Sequence, residues 1–181
     1  AHVNEVVTLN DPDEEFLMQD RFKTNALGKA KGPWAQHPDL IPWLIDNLPR
    51  FDSVIVHGLW QYHGHAVRSA RNALKSRSED SRLPRLYVMP HGMLDPYFQK
   101  AKGRKLKAIR NVIYWRLIEN KLINVADGLL FTCEEERRLA REPFRPYRPK
   151  RELVVGLGVE EPPPFKPEMR DAFVKICPEI Q

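Results

Sequence analysis

Two histidines, each directly followed by a glycine, are the residues of this sequence best suited to chemistry. The pairs His57-Gly58 and His91-Gly92 each follow a short apolar run, at positions 54–56 and 86–89. An imidazole donates or accepts hydrogen bonds and exchanges protons near neutral pH. A glycine beside it lets a ligand come close to the backbone. Each histidine could instead only cap its strand by bonding a neighbouring carbonyl.

The two apolar runs predict strands at 52–60 and 86–90. Apolar residues at consecutive positions are typical of strands buried on both faces, as in the middle of a parallel sheet. Ligands of open α/β sheets gather at the carboxyl ends of the strands. The sequence therefore predicts that His57 and His91 meet at one edge of one sheet.

The other elements needed to build that sheet follow from hydrophobic periodicity and turn residues. Further strands are predicted at 4–9, 25–28, 128–132 and 153–158, and helices at 38–48, 65–75, 108–123, 134–141 and 171–177. Thr132 is placed to cap the helix at 134–141. Strands that alternate with helices indicate βαβ units, so we expect an α/β fold with a parallel sheet flanked by helices. Residues 1–161 are expected to form this domain and residues 162–181 a proline-rich linker.

Aromatic and histidine side chains crowd just after His57. Trp60 and Tyr62 have the flat faces that stack on sugar rings, with polar tips that fix orientation. His63 and His65 could instead join His57 in a zinc site. Their spacing matches no helical ligand motif, however, and neither cysteine lies nearby, so no metal site is predicted.

Composition limits the classes of function. The chain has 181 residues, a formal charge of +5 and only 2 cysteines, which favours a globular domain in a reducing compartment. Apolar runs stay well short of the roughly 20 residues that cross a bilayer. The basic charge could serve nucleic acid, anionic lipid or phosphorylated substrates, or reflect only a solvated surface. The aromatic-basic interleaving of nucleic-acid modules is absent, so no nucleic-acid partner is expected.

The segment from Lys100 to Arg110 is both basic and amphipathic. Leu106 and Ile109 alternate with its cations, which are Lys100, Lys102, Arg104, Lys105, Lys107 and Arg110. Such a segment could lie on an anionic membrane or form a plain solvated helix face. The helix that continues it is expected to carry one apolar face, made of Ile109, Val112, Ile113, Leu117, Ile118 and Leu122.

Several common enzyme motifs are absent from the sequence. It contains no G-x-G-x-x-G, no P-loop and no G-x-S-x-G elbow. No cofactor is predicted.

Three runs together resemble family 4 glycosyltransferases, which are retaining enzymes with the two-domain GT-B fold. They are VIVHGLW at 54–60, YVMPHGMLDP at 87–96 and LFTCEEERRL at 130–139. The likeness covers roughly residues 5 to 165 and is closest to a bacterial branch. It implies a Rossmann-like amino-terminal domain that binds the acceptor.

The resemblance also implies roles for individual residues. His91 matches the catalytic histidine that contacts the transferred sugar, and Gly92 matches its neighbouring glycine. The residues expected to bind substrate are His57, Gly58, Trp60, Tyr62, Gly92, Thr132 and Glu134. The family needs no metal and holds its nucleotide-sugar donor in a carboxyl-terminal domain.

The chain departs from the family pattern at both ends. The family's first strand with its glycine-rich loop has no counterpart before Ala1, and the donor domain has none after Gln181. We therefore expect a glycosyltransferase fragment, inactive alone, whose full-length form transfers a hexose to a glycan or lipid-linked acceptor. Its expected location is the cytoplasm, with possible peripheral contact at the inner membrane face. The alternative is a non-catalytic domain that binds a glycan or a partner protein.

Overall fold

The computed structural model describes most of the chain. The described residues are 3–15, 17, 22–77, 83–101, 103, 105–158, 161–177 and 179, without the side chain of Lys105. Two of the predicted membrane-contact residues, Lys102 and Arg104, lie outside this set.

The described strands form two separate parallel sheets. In chain order the strands are β1 (Glu5–Thr8), β2 (Lys23–Ala26), β3 (Ser53–His57), β4 (Arg85–Met89), β5 (Gly128–Phe131) and β6 (Glu152–Val154). The larger sheet has the order β3-β4-β5-β6, and every pair in it is parallel. This confirms the expected α/β fold with a Rossmann-like parallel sheet. All six strands were predicted, with ends that differ by at most four residues.

Helices flank the larger sheet. They are α1 (Leu40–Asn47), α2 (Tyr62–Arg77), α3 (Tyr97–Lys100), α4 (Lys105–Tyr114), α5 (Asn120–Val125), α6 (Glu134–Ala140) and α7 (Pro167–Ile176). A 3₁₀ turn at Leu48–Arg50 extends α1, and a π-helical turn at Trp115–Glu119 joins α4 to α5. Because α2 begins at Tyr62, three residues before the predicted start, the loop after β3 is short.

The core lies where apolar strands meet the helices. Leu86 and Val88 of β4 and Leu129 and Phe131 of β5 have no solvent exposure. These central strands are buried on both faces, as their uninterrupted apolar sequence predicts. Their close packing fixes the positions of the loops that follow β3, β4 and β5.

The first two strands stand apart from the larger sheet. β1 pairs with β2 in parallel from Glu5 opposite Lys23 to Thr8 opposite Ala26. Among the described strands neither pairs with β3. The side chain of Glu5 makes ion pairs with Lys23 and Arg50, and the second of these ties the small sheet to the end of α1.

The apolar face predicted for the long helix lies mostly in solvent and is not the side that packs into the core. Ile109, Val112, Ile113 and Leu117 are exposed, at 39% or more of their surface, and of the predicted stripe only Leu122 is fully buried. The buried side instead carries the residues Asn111, Tyr114, Trp115, Glu119, Leu122 and Ile123. The large aromatic rings of Tyr114 and Trp115 lie on that side and are buried in the core. The π-helical turn that follows changes which positions of α5 face the core.

Within the described ranges, every helix is too short or too polar to cross a bilayer.

Candidate functional site

The two predicted histidines meet at the carboxyl edge of the larger sheet. β3 and β4 pair in register, with His57 opposite Met89, so His91 follows two residues later on the neighbouring strand's loop. His57 Nδ1 lies 2.8 Å from His91 Nε2, and the two rings stack with centroids 5.1 Å apart. One ring nitrogen must donate and the other accept, so the pair shares one proton along this bond. Each imidazole keeps a second nitrogen for a ligand.

Burial and neighbouring imidazoles keep His57 neutral. Partial burial lowers the pKa of His57 below its ordinary value, and His91 and His63 lower it further. Near pH 7 the ring is therefore mainly uncharged and exchanges hydrogen bonds as a neutral donor and acceptor.

Both histidine loops hold backbone conformations that residues with side chains rarely adopt. The φ angles are positive at Gly58 (+83°), Trp60 (+68°), His91 (+52°) and Gly92 (+73°). Left-handed conformation at a non-glycine residue costs free energy and persists only where surrounding contacts impose it. A Cβ at Gly58 would also come within 3.3 Å of Met93 Cε, so this position needs glycine for two reasons. The contacts around these loops therefore decide where His57 and His91 point.

Glu136 supplies such contacts to the His91 loop. Its Oε1 accepts a hydrogen bond from Gly92 N at 2.7 Å, and its Oε2 accepts from both the backbone N and the hydroxyl of Thr132 at 2.7 Å. Burial acts to raise the pKa of Glu136, but the hydrogen bonds from Thr132 and Gly92 outweigh it and the net pKa is lowered. An ionised carboxylate thus links the loop after β4 to the turn between β5 and α6.

Glu136 was not among the residues that the sequence predicted for the site. Glu134, the predicted binding residue, points outward with its side chain 69% exposed and pairs with Arg137. The predicted cap at Thr132 is wrong, because Cys133 is the N-cap and its sulfur accepts from Glu136 N at 3.4 Å. The spacing from Cys133 to Glu136 is that of a capping box, and this signal could have identified Glu136.

An open cavity lies beside the His91 loop. Its volume is about 450 Å³ and its lining includes His91, Gly92, Asp95, Thr132, Cys133 and Leu157. Cavities of this size hold small ligands, and this one lies at the strand ends where an α/β sheet binds them. The cavity thus brings together three of the predicted site residues, while His57 adjoins it through its bond to His91.

Trp60 and Tyr62 lie outside the lining of this cavity. The Trp60 ring packs against Phe144 and Tyr114, at centroid distances of 5.2 and 6.3 Å. Tyr62 opens α2, and its ring lies 5.6 Å from that of His65. Their expected part in acceptor binding stays a prediction.

The remaining histidines near His57 have partners of their own. His63 Nε2 lies 3.3 Å from Gly58 O, and His65 Nε2 lies 3.3 Å from the hydroxyl of Ser69. Among the described residues no three histidine, cysteine or acidic side chains gather as metal ligands would. The zinc alternative therefore has no support in the arrangement of these rings.

Comparisons of the chain with models of protein families, with curated proteins and with solved structures give no match.

Proposed function

We propose that this chain is the acceptor-side domain of a retaining glycosyltransferase, one that moves a hexose from a nucleotide sugar to a glycan or lipid-linked acceptor. The observation that carries the proposal is the 2.8 Å contact between His57 and His91 beside an open cavity at the carboxyl edge of a parallel sheet. The three motifs that resemble family 4 glycosyltransferases supply these same loops.

The geometry suits recognition of a sugar hydroxyl. A hydroxyl both donates and accepts a hydrogen bond, and the two imidazoles, joined through their shared proton, keep one donor and one acceptor nitrogen between them. His91 lines the cavity and His57 fixes its ring through the shared proton. In this proposal His91 contacts the transferred sugar and stabilises charge in the transition state, and the leaving diphosphate assists the acceptor hydroxyl.

Ligand binding to the isolated chain is the direct test. In NMR titrations with hexoses, nucleotide sugars and oligosaccharides, we expect the ring signals of His91 and His57 and the amide of Gly92 to shift together and to saturate. His65 lies on α2 away from the cavity and is the internal control. Shifts confined to His65, or none for any sugar, would overturn the proposal. If glycans alone bind, and the complete gene product consumes no nucleotide sugar, the non-catalytic binding domain is the correct interpretation.

An exposed apolar strip on α4 supports a second part of the proposal, peripheral contact with an anionic membrane. Leu106, Ile109 and Ile113 are 85, 58 and 54% exposed and recur at three- and four-residue spacing. Lys107 of α4 and Arg116 of the following π-helical turn are exposed cations that lie close to this strip in the sequence. Apolar residues flanked by cations are typical of helices that lie in a membrane interface. In this proposal the enzyme works at the cytoplasmic face of the membrane.

Removing two flanking cations is expected to weaken vesicle binding. A basic residue near an anionic surface contributes about 1 kcal/mol, so Lys107→Gln with Arg116→Gln should reduce the partition coefficient about 30-fold. Co-sedimentation with phosphatidylglycerol vesicles measures this, with phosphatidylcholine vesicles as the uncharged reference. Arg137→Gln with Arg138→Gln on α6 is the matched control. An equal loss of vesicle binding in the two double variants would show that only net charge matters, and would contradict a membrane contact through this strip.

A further inference from the structure

Glu119 is a buried carboxyl group that sequence patterns gave no reason to select. It ends the π-helical turn Trp115–Glu119 and only 1% of its surface is exposed. A π-helical turn carries one extra residue per turn and is frequent at functional sites. Among the described residues no lysine or arginine forms an ion pair with Glu119. A carboxyl group buried in this way needs an explanation.

Within the described part of the chain, the Glu119 side chain makes one hydrogen bond, to the loop that carries His57. Glu119 Oε1 accepts from Trp60 N at 2.7 Å. Trp60 is the residue of that loop held at a φ of +68°, three residues after His57. The other oxygen, Oε2, is buried and has no hydrogen-bond partner among the described atoms.

The helices approach unusually closely where this contact forms. A Cβ built on Gly64 of α2 would lie 2.8 Å from Leu122 Cδ2 and 3.7 Å from Glu119 Oε2. The missing side chain at Gly64 therefore lets α5 and the π-helical turn pack directly on α2. This packing brings Glu119 within reach of the loop that precedes α2.

We propose that Glu119 is a positioning residue that holds the loop from His57 to Trp60 in its left-handed conformation and so orients His57 against His91. This deepens the proposed sugar site and rests on it for its biological purpose. The contact itself belongs to the chain alone and is measurable without any sugar.

The ionisation of Glu119 makes the contact sensitive to pH. Burial raises the pKa of Glu119 to about 7, against a smaller lowering by the Trp60 hydrogen bond. The titratable groups on the neighbouring elements include Tyr114 of α4 and His63 of α2. Tyr114 has a pKa raised to about 12 by burial and by Glu119, and buried His63 has a lowered pKa, so both are neutral near pH 7. Hydrogen bonds to an ionised acceptor are the stronger ones, so the loop is held more firmly above pH 7 than below it.

The test compares two substitutions of similar size in the ligand-free chain. Glu119→Gln keeps an acceptor for Trp60 N without the charge, whereas Glu119→Met fills the same space without an acceptor. NMR follows the Trp60 amide and the pKa of the His57 ring. In the wild type the Trp60 amide shift should titrate with a midpoint near pH 7, and this step should vanish in both variants.

The two variants should then differ from one another. Glu119→Met should move the Trp60 amide upfield and bring the pKa of His57 back toward its ordinary value, while Glu119→Gln should leave both close to the wild type. Circular dichroism melting checks that both are folded, since losing a buried charge should not unfold either variant. A folded Glu119→Met variant with unchanged Trp60 and His57 signals overturns the proposal. Because no sugar is present, this result is independent of whether the chain binds one.

Discussion

Replacing Glu136 with alanine is expected to lower the free energy of unfolding by about 2 kcal/mol at pH 7. The substitution removes a carboxylate that accepts three hydrogen bonds, from Gly92 N, Thr132 N and the Thr132 hydroxyl. It also leaves two backbone donors without their partner in a partly buried turn. Urea unfolding followed by circular dichroism measures the change.

Glu134→Ala is the matched control for this prediction. Glu134 carries the same charge in the same first turn of α6, yet its side chain is mostly exposed and pairs with Arg137. Exposed pairs of this kind contribute about 0.5 kcal/mol. An equal loss in the two variants would show that charge at the start of the helix, rather than the link between the loops, determines the stability.

The stabilising effect of Glu136 should depend on pH. Because the pKa of Glu136 is lowered below 4.5 in the folded chain, its contribution is fully present above about pH 4.5 and disappears as pH falls through the lowered pKa. The difference between the wild type and Glu136→Ala should therefore shrink between pH 5 and pH 3. A constant difference across this range would contradict an ionised acceptor.

His91→Ala is expected to lower turnover about 100-fold in the complete gene product that contains this chain. The estimate is the typical effect of removing one hydrogen-bond donor that stabilises developing charge. His91 lines the cavity and shares a proton with His57, so its loss removes both the ligand contact and the fixed orientation of the pair. Release of nucleoside diphosphate from a panel of nucleotide sugars measures turnover.

Two further variants separate chemistry from folding at this position. His91→Asn keeps a polar side chain that tolerates the positive φ of this residue, so it should fold well while remaining poorly active. His65→Ala removes a histidine of α2 that bonds only Ser69 among the described residues, and should retain activity. A His91→Ala variant with unchanged turnover would contradict the proposed catalytic role of His91.

The strands and the meeting of His57 with His91 could be predicted because they depend on short-range patterns. An apolar run buried on both faces leaves few choices other than a central strand, and parallel neighbours bring their carboxyl ends together. The His-Gly pairs that follow the two runs therefore predicted which edge of the sheet carries the candidate site. The loop conformations at Trp60 and His91 could not be predicted in the same way, because contacts from distant helices impose them.

The helix faces were predicted less well, for a physical reason. Three consecutive glutamates offer equivalent side chains, and only the start of α6 at Cys133 decides that Glu136 turns inward. On the long helix the aliphatic stripe was the stronger periodic signal, but the aromatic rings of Tyr114 and Trp115 occupy the core and leave that stripe in solvent. Periodicity identifies an apolar stripe without indicating what covers it.

The place of β3 at the end of its sheet affects how the chain behaves in concentrated solution. β3 pairs only with β4 among the described strands, so no described strand bonds to its other side, and Ile55 is 45% exposed. An edge strand is a template onto which another chain can add. Self-association through β3, growing with protein concentration and suppressed by a lysine at Ile55, would follow directly from this arrangement.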